Sequence, residues 1–321
     1  MSDAGTGKSV WRGWLLRAVG SGIILVVLFW FLPIGDVVAG FAKVSPALFA
    51  GVLVVFLLGH FASAAKWWNL LDRKFPFIAA LRAHFAGLAS NLCLPGAAGG
   101  DAVRAAVAQM SIGDGAKVIS GSVADRLIDM LALACLSLGG ILMLSDSGGG
   151  AVLAFKVLAL MFVLLAAAVF LVPRVVPMIW NAVPRLPAKG LALRTAASFG
   201  ELAKRPGLLL TSFILSAAIQ CVFILLTVQL ANAIGVTAPL GAWFFAWPLA
   251  KILAVLPISL NGLGVREATL AGLLAPFGAL APEVVASGLV WQAVLFVAGG
   301  LGALVLMVSG AGFGAVQQPS E

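Results

Sequence analysis

Two short stretches of this sequence set glycines, an arginine and an acid side by side in apolar surroundings. The first holds Gly99, Gly100, Asp101 and Arg104; the second holds Gly262, Gly264, Arg266 and Glu267. Each opens on Leu-Pro (Leu94-Pro95 and Leu256-Pro257), and both fit the pattern L-P-x4-G-x2-V-R-x-A without a gap. Proline breaks a helix and removes a backbone donor, while glycine lets the chain turn sharply. A short helix that begins after such a break aims its positive end back at the break. An arginine just inside that helix adds a guanidinium able to hold a phosphate or carboxylate through paired hydrogen bonds. The chemistry expected of both stretches is the holding of an anion. Asp101 and Glu267 would tune the arginines or carry a proton, and Asp101 and Arg104, three apart, can pair on one helix face. Asn91 and Asn261 can donate side-chain hydrogen bonds to carbonyls exposed at the breaks, and are read equally as structural groups and as ligand contacts.

Further ionisable residues interrupt apolar sequence at Arg82, His84, Arg126, Asp129 and Lys251, with Asp125 adjoining Arg126. A charge at membrane depth is costly unless paired, so each is a candidate for a functional contact or a structural pair. Arg126 and Asp129, again three apart, are read as a pair or as ligand contacts. His60 reads as an ordinary helix residue. Two histidines 24 apart, with no nucleophile or metal-ligand spacing, give no support for catalysis, and no cofactor or metal is expected. Gly5-Thr6-Gly7-Lys8-Ser9 resembles the end of a phosphate-binding loop, but Ser2 stands where the leading glycine belongs. Nucleotide binding is therefore not expected, and any driving force must come from a potential or an ion or lipid gradient.

The elements that position these residues follow from composition. Hydrophobic residues make up 62% of the 321 and charged ones 10%, against roughly 25% charged in a soluble domain. Apolar runs occur at about 14–32, 46–65, 77–94, 118–144, 151–172, 207–233, 241–256 and 284–310, and shorter apolar pieces follow the breaks at 102–110 and 263–277. A run of about 20 residues crosses the hydrocarbon as a helix. Trp11, Trp14, Trp67, Trp68 and Trp180 flank the runs as an interfacial belt would. The net charge of +8 comes from basic loops, which marks cytoplasmic loops rather than a nucleic-acid surface.

Three basic regions should share the cytoplasmic side: the N-terminus, the 66–74 loop (Lys66, Arg73, Lys74) and the polar connector 173–206. They do so only if 77–110 enters and returns as a re-entrant hairpin. The same count makes 241–277 a second hairpin from the opposite side. The expected fold is an all-α polytopic membrane protein, one integral membrane domain over 1–321, with about six full crossings plus two hairpins and both termini cytoplasmic. It divides into two inverted-topology repeats, about 46–144 and 207–310, joined by the connector, parts of which can lie on the membrane surface. Inverted repeats with broken helices at matching places are a transporter signature, and the breaks usually mark the site.

Three pieces carry a family resemblance: 91–104 (N-L-C-L-P-G-A-A-G-G-D-A-V-R), 125–133 (D-R-L-I-D-M-L-A-L) and 257–267 (P-I-S-L-N-G-L-G-V-R-E). With the order of runs, the chain resembles the flippase-like family named for the transmembrane region of lysylphosphatidylglycerol synthase. The resemblance implies movement of a lipid between leaflets of a bacterial inner membrane, with Gly99, Gly100, Asp101, Arg104, Arg126, Asp129, Gly262, Gly264, Arg266 and Glu267 as its site residues. Lysyl-lipid synthesis is not expected, because the sequence stops eleven residues after Gly310, short of a soluble transferase domain. The partner expected is a membrane lipid with an anionic headgroup, with no nucleic acid or nucleotide. Two alternatives remain: an accessory subunit of an envelope-lipid biosynthesis complex, or an integral-membrane headgroup transferase using Asp101 or Glu267.

Overall fold

A computed structural model describes residues 34–92, 97–144, 149–183, 187–254 and 262–308. Among these residues there are eleven α-helices and no strand. In chain order they are α1 (Ile34–Ala42), α2 (Pro46–Leu70), α3 (Phe77–Ser90), α4 (Ala97–Ile112), α5 (Gly115–Leu144), α6 (Gly149–Ala182), α7 (Lys189–Ala203), α8 (Pro206–Ile234), α9 (Leu240–Leu253), α10 (Val265–Leu274) and α11 (Ala281–Val308). Each apolar run from 46 onward coincides with a helix over most of its described residues. The run at 14–32, and Trp11 and Trp14 with it, lies outside the described residues. The helix α1 was not anticipated; Gly40 on it packs against Ala286 of α11.

Local sequence places the ends. The Ser45 side chain accepts from the Leu48 N–H at 3.2 Å, and Pro46 occupies the first turn, where its missing donor costs nothing. Pro206 starts α8 in the same way, and Gly235, at φ +115°, ends it in the left-handed region. Among the described residues, α2, α5, α8 and α11 are long and apolar enough to cross a membrane, and α3 and α9 are shorter apolar helices. The bundle is apolar outside and charged inside. Val54, Leu58, Leu210 and Ile214 are each more than half exposed, while Lys66, Arg104, Asp125, Arg266 and Glu267 are buried. That inversion suits a lipid solvent.

Helices α2 and α8 run antiparallel. Lys43, just before α2, donates to the Ile234 carbonyl at the end of α8 at 2.7 Å. Phe56 and Phe223 meet midway with ring centroids 5.0 Å apart, and Lys66 and Ser216 share Asp129 at the far end. The pair α3 and α4 also folds back on itself: a Cβ on Gly87 would lie 2.6 Å from the Gly100 carbonyl, and Ala80 and Ala83 share a cluster with Ala108. The hairpins are cross-packed. Helix α5 packs on α9, where a Cβ on Gly140 would lie 2.6 Å from the Gly241 carbonyl and Ser137 donates to the Phe245 carbonyl at 3.0 Å. Helix α11 packs on α3, where a Cβ on Gly302 would lie 2.9 Å from the Phe85 carbonyl. Small residues at such crossings let helix backbones approach closely in a medium with little hydrophobic drive between helices.

Asp72, in the loop after α2, forms ion pairs with Lys117 at the start of α5 and with Arg205 just before α8. The loop after α2 and the end of the connector therefore lie at one end of the bundle, as the charge pattern required. Two details of that pattern change. Lys66 belongs to no loop: it is 2% exposed inside α2. The connector is helical: α6 continues through Pro173 and Pro177, and α7 buries Phe199 and Leu202 against Leu70, Ala124 and Ile128. Trp67 is fully buried rather than interfacial.

The Asp72 cluster makes stability depend on pH. Burial by itself would raise the Asp72 carboxyl, but the hydrogen bonds and charges of Lys117 and Arg205 outweigh it and hold the group below its ordinary value. The folded chain then binds its proton later than the unfolded chain as pH falls. The stabilisation is complete above the ordinary carboxylate value of about 3.9 and disappears as pH drops through the lower folded-state value. Melting in detergent between pH 7 and pH 3 should show a steeper loss below about pH 4 for wild type than for Asp72→Asn. Superimposable pH profiles would show that the cluster contributes nothing.

Candidate functional site

A cavity of about 220 Å³ opens where the two hairpins meet α2, α5, α8 and α11. It is large beside the roughly 10–15 Å³ that one water needs. Of the residues singled out from the sequence, Asn91, Gly100, Asp101, Arg104, Arg126, Asp129, Lys251 and Arg266 line it. Asn261 lies outside the described residues, as do both Leu-Pro pairs. Gly99 is half-buried on α4 beside Gly100 but does not line the cavity. Gly262, Gly264 and Glu267 stand behind the wall rather than on it.

One charged network occupies α2, α4 and α5. Asp125, 3% exposed, sits between two buried cations: Arg104 donates to its Oδ2 at 3.0 Å, and the Lys66 ammonium lies 3.1 Å from its Oδ1. Lys66 also pairs with Asp129, which accepts a second hydrogen bond from Ser216. The Arg104 guanidinium lies over the Trp67 ring, 4.5 Å from its centroid. Arg104 approaches Asp101 at 3.6 Å, as the spacing allowed, but the closer partner of Asp101 is Arg126. Arg126 and Asp129 are therefore not a pair. Each reaches a different helix, because residues three apart on α5 face different neighbours once that helix is packed.

The second hairpin is organised around Glu267, which has no exposed surface. Its Oε2 accepts the Gly264 N–H at 2.7 Å, and its Oε1 accepts Arg266 Nε at 3.1 Å and Nη2 at 2.5 Å. Arg266 also donates to the Gly288 carbonyl at 3.2 Å and to Gln292 Oε1 at 3.1 Å on α11. Gly262 and Gly264, at φ +76° and +84°, adopt the left-handed turn that carries the chain into α10. One N–H at the start of α10 is thus capped from within by Glu267. The first hairpin behaves alike: Asn91 Oδ1 accepts the Gly100 N–H at 3.0 Å. Asn91 thus acts as an acceptor that clamps the hairpin, rather than as a donor to carbonyls. A Cβ on Gly100 would strike Asn91 and the Gly87 carbonyl, so Gly100 serves this close approach.

Several lining residues were missed or misread from the sequence. His60, read as an ordinary helix residue, shares a hydrogen bond with the candidate His84, Nδ1 to Nε2 at 2.9 Å, in the cavity wall. Gln220, Phe223, Trp247 and Trp291 complete an aromatic flank with one polar group. Gln220 carried a signal, as an amide within the apolar run at 207–233. Lys66, which stands behind the wall against Asp125 and Asp129, carried none, because a lysine at the end of an apolar run reads as the start of a loop. No group of three or more His, Cys, Asp or Glu suited to a metal occurs among the described residues.

Apolar crossings packed around a charged internal cavity define a multi-pass helical membrane protein. Residues 15–302 match the family described as the lysylphosphatidylglycerol synthase TM region, and the chain belongs to that family. No curated protein matches the chain at a significant level.

Proposed function

We propose that the protein moves a membrane lipid between leaflets, passing its headgroup through the cavity between the two hairpins. The observation that carries this reading is the cavity itself: a space with apolar walls and charges from both hairpins, inside helices whose outer faces are apolar. Membership of a lipid-related membrane family supports it. The task requires no bond to be made or broken, so the protein acts as a transporter and not as an enzyme. Its place is the bacterial inner membrane, with both termini cytoplasmic, as the basic loops imply.

Inverted repeats support the same reading. Gly140 and Gly302, which seat the two cross-packed helix pairs, are 162 residues apart, the same spacing as Pro95 and Pro257 and as Arg104 and Arg266. Each of those arginines reaches the long helix that closes its own half, α5 for Arg104 and α11 for Arg266. The first long helices of the two halves, α2 and α8, run antiparallel, as inverted halves require. In this arrangement the hairpins are re-entrant and meet at membrane depth, where irregular backbone is tolerated because it lines a cavity.

The test is leaflet exchange of fluorescent lipids in proteoliposomes. Ser63, on the cavity wall, offers a way to plug the space without removing a charge. Ser63→Trp should slow exchange about tenfold or more while leaving the melting temperature near wild type; overpacking that fails to seat the ring would instead show as lost stability. Exchange at wild-type rates in the folded plugged variant would place any lipid path elsewhere. One observation favours a second reading, an accessory subunit of an envelope-lipid complex: most cavity charges already have partners within the chain. On that reading wild type exchanges no lipid and co-purifies with a lipid-modifying enzyme.

A further inference from the structure

Lys251 differs from every other cation of the cavity. It projects from the last turn of α9, and its ammonium donates to Gln220 Oε1 at 2.7 Å. Its other neighbours are ring faces, with the Trp247 centroid 4.9 Å away and that of Phe223 5.6 Å away. Among the described residues no carboxylate lies within ion-pair distance of it. Asp129 is already held by Lys66 and Ser216. The segment 255–261 that follows α9 contains no acidic residue. Among the described residues, the cavity cations Arg104, Arg126 and Arg266 each lie within ion-pair distance of a carboxylate, and Lys251 does not.

Two buried donors of the same cavity also lack an acceptor among the described residues: Trp247 Nε1 and Arg104 Nε. Trp247 is 2% exposed and stands one helical turn from Lys251; Arg104 is 6% exposed. Buried N–H groups without an acceptor are rare in folded proteins. A lone ammonium at membrane depth is likewise unfavourable without an anion.

We propose that Lys251 is the contact that receives the cargo's charge, and that this charge is a single phosphodiester anion, held at Lys251 beside the Trp247 indole. Lysine meets phosphate as a point charge, whereas the fork of an arginine is specific for paired acceptors. Here Arg104 Nη2 is held by Asp125, and Arg266 Nε and Nη2 by Glu267. The hairpin arginines thus shape the cavity, and the lysine carries the ion pair. The inference rests on the transport reading only in assigning the phosphodiester to a lipid.

The test uses the full chain in detergent, with dihexanoyl phosphatidylglycerol, dihexanoyl phosphatidylcholine and inorganic phosphate as probes. Binding is read from tryptophan fluorescence, since Trp247 and Trp291 flank the site, and independently from the shift in melting temperature. Wild type should bind phosphatidylglycerol and be stabilised by it. Lys251→Met, which keeps the length and apolar stem, should bind it about 30-fold or more weakly. Lys251→Arg should stay within a few fold of wild type. Equal affinity in the methionine variant overturns the proposal. So does a wild type that no anionic probe binds or stabilises, a result independent of whether any variant folds. Inorganic phosphate binding as tightly as the lipid, with the same dependence on Lys251, would keep the contact and assign the anion to a soluble source. Binding that depends on Lys251 in protein that exchanges no lipid would leave the site standing and remove the transport reading. Exchange with binding indifferent to Lys251 would do the reverse.

Discussion

Asp125→Ala is expected to destabilise the protein by about 3–5 kcal/mol, the usual cost of breaking a buried ion pair by removing one partner. The physical reason is that one carboxylate serves two buried cations. Without it Arg104 keeps only the more distant Asp101, at 3.6 Å, and Lys66 keeps only Asp129. Both cations are withdrawn from bulk water, Lys66 being 2% and Arg104 6% exposed. Asp101→Ala offers the contrast. Its partner Arg126 has a side chain 36% exposed, so solvent screens the loss and the expected effect is about 1 kcal/mol or less. Denaturant titration of helicity in mixed micelles measures both. A loss in Asp125→Ala no larger than in Asp101→Ala would mean that the buried network holds nothing together. A quadruple variant, Lys66→Met/Arg104→Met/Asp125→Leu/Asp129→Asn, should recover much of the lost stability, since apolar or neutral residues of similar volume often replace a buried charge network at little cost. It should recover no lipid movement, which separates folding from function at this network.

Glu267→Ala is the second large effect, again about 3–5 kcal/mol. This side chain is wholly buried and does two jobs, accepting the Gly264 N–H at the start of α10 and neutralising Arg266. Its removal leaves Arg266 with only the neutral acceptors Gly288 O and Gln292 Oε1, and leaves a buried N–H without an acceptor. Glu267→Gln separates the two jobs. Its amide oxygen can still accept from Gly264 while the charge is gone, so it should retain about 1 kcal/mol, the worth of a helix cap, over the alanine variant. A double-mutant cycle between Arg266→Met and Glu267→Ala should give a coupling of roughly 1–3 kcal/mol. Coupling near zero would make the pair a bystander, and the glutamate only a cap.

The two effects also recast the role of the hairpin motifs. From the sequence, each glycine-rich break followed by an arginine looked like an open anion site. In the fold one N–H near the start of each following helix is taken from within the chain, Gly100 by Asn91 and Gly264 by Glu267. The motifs build the cavity walls, and the unpaired cation lies on α9, outside either motif.

The amino-acid sequence by itself determined the helices and their order. Apolar runs at 46–65, 118–144, 207–233 and 284–310 became α2, α5, α8 and α11, because the burial of about 20 consecutive apolar residues in hydrocarbon is decided locally. It also determined that the loop after α2 and the end of the connector share one end of the bundle, since loop charge is a local property as well; the Asp72 pairs with Lys117 and Arg205 show the outcome. Only the tertiary structure decided which charge meets which. Arg126 pairs with Asp101 on another helix rather than with Asp129 three residues away, Lys66 is drawn from an apparent loop into the core, and Lys251 meets an amide and two aromatic rings. The direction in which a helical side chain points is set by its own helix, but what it finds there depends on the register and crossing of neighbours far along the chain. Gly140 against Gly241 and Gly302 against Phe85 set those crossings, and with them the positions of the cavity's charges.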